Sequence, residues 1–384
     1  MTTVLLVPDL PSEHWPSMDR YASRLVEHLP DESPDLDVEL AGPIASLTTD
    51  AAHGIVHGSG ARAGEIAPHD VHDVRRYVER YWSYPRRVRR RRADVVHVLD
   101  HSYAHVVRAK PDVPSVVSVH DLLPLITVRR HARGLRERVR NGFLRYVLDS
   151  LRQASAWIVS TEWMRGELAT WLQDGERIHV IPYGVDDTFF TAPDEAPAVT
   201  RTRLGIPNDR FVVLHVGSVV ERKNIPGVLA AVDGLKRAGV PAWLLQVGGT
   251  FTAKQQADIA ARGLEDVVTQ VEGASERDLR AAYRAADVLL FPSHYEGFGL
   301  PLLEAMASGL AIVTSGAAAL AEVAGDAATV VEGRDPEPFV EALQRIHEDE
   351  EWRETLRTRG VARARRFTWT ETANRTADVY RALA

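Results

Sequence analysis

The sequence holds no cysteine, so disulfides, thiolate zinc sites, iron–sulfur clusters and a cysteine nucleophile are all excluded. It is nearly as poor in lysine. Four lysines stand against 42 arginines, which makes each lysine the less expected choice of cation. Glycine does not occur before Gly42. Long apolar runs are missing too; the least polar stretch, Ser308 to Ala321, is half alanine and glycine and too short to cross a bilayer. The opening Thr3-Val4-Leu5-Leu6-Val7 has no cationic lead and stops at Pro8-Asp9, so it reads as a β-strand and not as a signal peptide. A cytoplasmic protein is expected, with a peripheral place on the inner face of the cell membrane left open. The charge balance, 46 Lys and Arg against 53 Asp and Glu, is mildly acidic and gives no sign of a nucleic-acid partner.

What is present is an alternation. Short Val/Ile/Leu runs recur at Thr3–Pro8, Val38–Ala41, Asp94–Leu99, Ser115–His120, Trp157–Ser160 and Ile178–Pro182. A second series runs through Phe211–Gly217, Trp243–Val247, Val267–Val271, Val288–Phe291, Ala311–Thr314 and Thr329–Val331. Continuous apolar runs suit parallel strands buried on both faces. The segments between them carry helical spacing, as in Leu279, Tyr283 and Ala286. Two doubly wound, Rossmann-like α/β domains are predicted, 1–190 and 201–368, with a cleft between them. The joint is expected at 191–200, which carries two prolines and no periodicity. The final helix, 369–384, fits either domain and is a candidate to pack back on the first.

Two motifs in the second half carry chemistry. One is Ser293-His294-Tyr295-Glu296-Gly297-Phe298-Gly299-Leu300-Pro301-Leu302-Leu303-Glu304, between a strand end near Phe291 and a helix that has Pro301 in its first turn and stops at Gly309. Gly297 and Gly299 permit tight turns, which leaves the amides of Gly297 to Leu300 to form an anion site at a helix start. Glu296 on the loop and Glu304 on the helix can meet different parts of one long ligand. The other motif, Gly217-Ser218-Val219-Val220-Glu221-Arg222-Lys223-Asn224, follows a strand, and Pro226 opens the next helix. Adjacent Arg222 and Lys223 suit a diphosphate, the first by bidentate bonding and the second as a point charge. A solvated basic loop, or a glycine turn with two surface glutamates, explains either motif alone but not both together.

Together these residues resemble a known family. Glu296 and Glu304 with seven residues between them, Arg222-Lys223-Asn224 upstream, and Val180-Ile181-Pro182-Tyr183-Gly184-Val185-Asp186 look like the retaining GT-B glycosyltransferases of family 4. Ser160-Thr161-Glu162-Trp163-Met164 fits as well. His120-Asp121-Leu122-Leu123-Pro124 is similar to the mannosyltransferase-like members, which points to GDP-mannose among the nucleoside diphosphate hexoses as donor. The resemblance implies a metal-independent hexosyltransferase with no cofactor besides its donor. Arg222, Lys223 and the amides of Gly299 and Leu300 would hold the diphosphate, and Glu304 the ribose hydroxyls. Glu296 would bind donor-sugar hydroxyls, and His120 would reach the sugar from the opposite domain. Gly217, Ser218, Gly297 and Phe298 would line the donor, and the loop at Gly273 and Ser275 the base. A glycan or lipid-linked acceptor, as in polysaccharide biosynthesis, is implied.

The chain departs from that pattern at the loop after its first strand. The family carries a Gly-Gly there, and this chain has Asp9-Leu10-Pro11-Ser12-Glu13-His14-Trp15-Pro16-Ser17-Met18. Acceptor contacts are expected at Trp15, Ser17, His101, Tyr103 and Asp121. A nucleotide-sugar epimerase of the same fold and a sugar-nucleotide-binding partner subunit remain as alternatives, and oligomeric state is left open. Arg75–Arg92 holds nine arginines among Tyr77, Tyr81, Trp82 and Tyr84, and Arg129–Arg145 holds seven. This pattern suits an anionic membrane or a lipid-diphosphate acceptor, and equally a solvated helix face. His97, His101 and His105 stand four apart, and His69 and His72 flank Asp70 and Asp73. The first trio is broken by the strand at Asp94–Leu99, so no metal site is expected.

Overall fold

The computed structural model describes residues 1–13, 16–44, 74–123, 135–192 and 195–384, with backbone alone at 16, 74 and 135–140. All twelve expected strands form, with ends within two residues of expectation. The first sheet holds β1 (Thr2–Val7), β2 (Leu36–Leu40), β3 (Val95–Val98), β4 (Ser115–Val119), β5 (Ala156–Val159) and β6 (Ile178–Val180). They run parallel in the order β2-β1-β3-β4-β5-β6. The second holds β7 (Phe211–Gly217), β8 (Ala242–Gly248), β9 (Val268–Glu272), β10 (Val288–Phe291), β11 (Ala311–Ser315) and β12 (Thr329–Val331). These are parallel too, in the order β12-β11-β10-β7-β8-β9. Val95, Val98, Val116 and Val117 of the first sheet and Val213, Leu214, Leu289 and Leu290 of the second are almost wholly buried, as strands covered on both faces require.

Two compact units result. Among the described residues, one takes the chain up to Gly184 and returns at Thr368–Ala384; the other is Val185–Phe367. The division therefore falls ahead of the joint expected at 191–200. That stretch is part of the second unit, because Pro197–Arg203 forms a helix and Thr200 is buried. The last helix, Trp369–Leu383, packs on the first unit through a polar relay. His97 on β3 bonds the Tyr380 hydroxyl at 2.5 Å and Ser118 Oγ on β4 at 2.8 Å, and Ser118 Oγ meets Tyr21 Oη at 2.9 Å. Thr372 donates to the Pro182 carbonyl at 2.7 Å, and Arg381 pairs with Asp35 at 2.7 Å.

Burial holds three of these interior histidines neutral. It lowers the pKa of His97 to about 3 and those of His105 and His215 to about 4. The unfolded chain binds protons below about pH 6.5 that the folded histidines refuse, so stability falls as pH drops from 6.5 toward 4. Asp9 works in the opposite sense, since burial and the neighbouring Asp100 raise its pKa. One group against three leaves the sign unchanged. The melting temperature is expected to fall by several degrees between pH 7 and pH 5; a flat or rising profile in calorimetry would contradict this.

Candidate functional site

In the second sheet the chain runs outward from β7 to β9 on one side and from β10 to β12 on the other. The carboxyl ends of β7 and β10 border the point where the order reverses, the place where open α/β sheets bind ligands. β7 ends at Gly217, whose φ of +140° strains any residue with a Cβ, and the Lys223 side chain passes 3.3 Å from where that Cβ would stand. A 3-10 turn, Glu221–Lys223, follows. Asn224 then takes a left-handed conformation, and its side chain accepts from Gly227 N at 3.1 Å to cap the helix Ile225–Arg237. The same side chain donates to the Pro292 carbonyl at 3.3 Å, and His294 N donates to the Arg222 carbonyl at 2.7 Å.

The two loops are thus stitched together, and their side chains meet. Arg222 Nη1 lies 2.8 Å from Glu296 Oε2, and Lys223 Nζ lies 2.7 Å from Glu296 Oε1. The Lys223 ammonium also sits 4.5 Å from the Phe291 ring centroid.

Both members of the inner ion pair are buried, Lys223 at 7% exposure and Glu296 at 8%. Burial lowers the pKa of Lys223, and Glu296 offsets only part of that effect. Burial presses Glu296 upward, but Lys223 and Arg222 together outweigh it and hold the carboxyl below its ordinary range. Two cations face one carboxylate, which leaves a positive surplus. The next element adds to it. Gly299, at φ +102° and with a Leu320 methyl 2.6 Å from where its Cβ would be, turns the chain into the helix Leu300–Ala307. The amides of that first turn carry partial positive charge. Glu304, one turn in, is buried and accepts from the Tyr283 hydroxyl at 2.7 Å. Tyr283→Phe removes a donor from this buried carboxylate, with an expected cost of about 1–3 kcal/mol in denaturant unfolding.

The structure therefore brings Gly217, Ser218, Arg222, Lys223 and Glu296 to one pair of strand ends, with Gly297, Phe298, Gly299, Leu300 and Glu304 continuing from them along the chain. Phe298 is buried and packs edge-on against Phe367. Gly273 lies apart, after the edge strand β9, at φ +57° with open space beside it. Ser275 caps the helix Glu276–Ala285 in a reciprocal pair with Asp278.

In the first unit His120 is buried with both ring nitrogens engaged, Nε2 at 2.5 Å from the Leu99 carbonyl and Nδ1 on the Tyr183 hydroxyl. Tyr103 is fully buried; its hydroxyl accepts from Leu10 N at 3.3 Å and donates to Glu13 at 3.0 Å, so it props the loop after β1 from inside. Ser17 is exposed near the start of the helix Pro16–Glu32. Trp15, Pro124, the Asp70/Asp73 histidine pair His69 and His72, and residues 129–134 of the second basic stretch lie outside the described residues. The first basic stretch is less uniformly a surface than its composition suggests. Arg76 and Arg80 turn inward to Glu13, and Tyr84 is buried with its hydroxyl on the Pro8 carbonyl at 2.6 Å. Trp82 and Val78 remain 62% and 50% exposed. Among the described residues no cluster of three or more histidines and carboxylates is arranged to hold a metal ion.

Two contributors were missed by the sequence reading. His215 on β7 and Gln246 on β8 occupy paired positions in the parallel register; their side chains bond at 2.7 Å, and Gln246 Nε2 donates to the Gly217 carbonyl at 3.0 Å. They brace the floor under Lys223. A polar residue at matching places in two otherwise apolar runs was the available signal.

Comparison with known proteins agrees with this geometry. Residues 18–189 match the model of Glycosyltransferase Family 4, and residues 198–363 match that of the Glycosyl transferases group 1. The chain belongs to glycosyltransferase family 4. Among the relatives of this family 4 chain, a D-inositol 3-phosphate glycosyltransferase of Streptosporangium roseum is 35% identical over 217 residues, 53% of this chain and 49% of that protein. An O-antigen chain mannosyltransferase B of Escherichia coli is 33% identical over 173 residues, 44% of this chain and 45% of that protein. The chain spans about half the length of the curated relatives it matches. Its fold is GT-B, as in the sucrose-phosphate synthase of Thermosynechococcus elongatus (TM-score 0.74, 22% identity, 100% of this chain and 99% of that one). The same holds for Anabaena Alr3699/HepE in complex with UDP and glucose (TM-score 0.77, 17% identity, 100% of both chains).

Proposed function

We propose that the protein transfers a hexosyl group, mannose from GDP-mannose in first place, to a hydroxyl of a glycan or lipid-linked acceptor with retention of anomeric configuration. The observation that carries this reading is the pairing of Arg222 and Lys223 with Glu296 at the switch point of the second sheet, which leaves a positive surplus where a diphosphate belongs. In the transfer, the bond from the sugar C1 to the phosphate oxygen breaks as the acceptor oxygen bonds to C1. The acceptor proton passes to the departing phosphate on the same face. Arg222, Lys223 and the amides of Gly299 and Leu300 take up the charge that grows on the diphosphate, without a divalent metal. Glu304 holds the ribose hydroxyls, Glu296 orients the sugar hydroxyls, Gly217 and Ser218 line the phosphates, and Gly273 the base. The mannosyl donor and polysaccharide setting draw support from the O-antigen chain mannosyltransferase among the relatives.

The test is incubation with GDP-mannose, UDP-glucose and related donors, with EDTA present and acceptor oligosaccharides added. Nucleoside diphosphate release and an α-linked product from an α-linked donor, read by NMR, are expected. An epimerase would interconvert sugars without acceptor-dependent release, and a binding subunit would do neither. The exposed Trp82 and Val78 amid Arg75, Arg86 and Arg87 favour a second contact, with an anionic membrane surface at the inner face of the cell membrane. Anionic liposomes are expected to sediment the protein, and neutralising Arg89 to Arg92 is expected to release it; no binding by the parent would end this part of the reading. Among the described residues no helix is long and apolar enough to cross a membrane.

A further inference from the structure

The first sheet has a switch point of its own. Its order reverses between β1 and β3, and the carboxyl ends of β1, β3 and β4 deliver Asp9, then Asp100 and His101, then His120 and Asp121. The surrounding loops are fixed. Tyr84 holds the Pro8 carbonyl and Tyr103 holds Leu10 N and Glu13, while Asp100 accepts from Ser102 N at 2.5 Å. Within this frame one polar side chain is left over. Asp9 is buried against Asp100, and the two carboxyls share a side-chain hydrogen bond. His101 is 7% exposed, and neither ring nitrogen is hydrogen-bonded among the described residues. His101 is aimed between two carboxylates, 3.5 Å from Asp100 and 3.9 Å from Asp121, at distances longer than a hydrogen bond. Buried polar groups are nearly always satisfied. His101, at the switch point and between Asp100 and Asp121, is not, and it marks a place that a ligand completes.

The chemistry of the site selects the ligand. Carboxyl groups and an imidazole match hydroxyls, which both donate and accept. The amino groups of the nearby cations are committed elsewhere, and of the Arg80 guanidinium only Nε is left without a partner among the described residues. Arg80 gives one amino group to Glu13 at 3.1 Å and the other to the Ser102 carbonyl at 2.6 Å, and its guanidinium lies over the Tyr103 ring; Arg76 is bound to Glu13. Asp100 and Asp121 would meet a phosphate with like charge. We infer that this cluster binds an uncharged, hydroxyl-bearing ring, a sugar or polyol that serves as the acceptor, and that it rejects the same ring carrying phosphate. A ring joined directly to a lipid diphosphate carries phosphate and is rejected too, which assigns the protein to extension of a chain already begun. The acceptor role rests on the transferase reading above; the binding selectivity does not.

Saturation-transfer NMR on the full chain, without donor, tests it with two matched pairs of probes: methyl α-mannoside and its 6-phosphate, and myo-inositol and inositol 1-phosphate. The neutral members are expected to bind, and the phosphorylated members at least about tenfold more weakly. Asp100→Asn, which keeps a capping side chain, and the more exposed Asp121→Asn are expected to narrow that gap. His101→Gln is expected to weaken the neutral members. Thermal unfolding confirms that each variant is folded. No binding of either neutral ring, equal or better binding of the phosphorylated rings, or a gap unchanged in folded Asp100→Asn and Asp121→Asn would overturn the inference. Selective ring binding in a protein that binds no nucleotide would sustain the site and remove its acceptor role. Nucleotide binding without ring selectivity would overturn the site alone.

Discussion

Lys223→Ala is expected to lower the rate of sugar transfer about 10²–10³-fold, the usual effect of removing one preorganised donor from a developing anion. The geometry explains why the loss falls on rate and not on folding. The side chain is held by Glu296 at 2.7 Å and lies against Phe291, so its position is set before any ligand arrives. Once it is removed, Glu296 still has Arg222 at 2.8 Å and is not left as an unpaired buried charge. Steady-state kinetics on the folded variant should therefore show a fall in kcat with a modest change in melting temperature. Activity within a few-fold of the parent would remove Lys223 from the chemistry.

The converse substitution has a different signature. Glu296→Gln leaves two adjacent cations without a carboxylate, one of them at 7% exposure. Breaking a buried pair from one side costs about 3–5 kcal/mol, because the remaining charge keeps its desolvation penalty. The expected result is a protein that is less stable by that order in denaturant unfolding. The double substitution Lys223→Ala with Glu296→Gln should recover part of the loss, since it removes both charges. Added GDP or UDP should also raise the melting temperature of Glu296→Gln more than that of the parent, because the diphosphate supplies the missing negative charge. A single variant as stable as the parent would show that the ion pair is not the buried element described above.

The positions of the strands were readable because the buried parallel sheets need mostly apolar runs, and the runs at Phe211–Gly217 and Val288–Phe291 have no other use. The loops after them were readable because glycine, proline and an isolated lysine each have few structural reasons to stand where they do. The division between the units was misplaced because two prolines at 191–200 look like a linker, although Pro197 in fact begins a helix whose Thr200 is buried. The inward turn of Arg76 and Arg80 was hidden for a related reason. Their partner Glu13 lies more than sixty positions away, and nothing local distinguishes a paired arginine from a solvated one. His215 and Gln246 become a pair only through register, which periodicity does not supply.

The most direct measurement is a calorimetric titration of the parent and of Lys223→Ala with GDP, GMP, UDP and UMP in the presence of EDTA. If Arg222 and Lys223 grip a diphosphate, the preferred base will bind at least about tenfold more tightly as the diphosphate than as the monophosphate, and Lys223→Ala will erase most of that difference. Equal binding of di- and monophosphates by the parent, or a difference that survives the substitution intact, would contradict it.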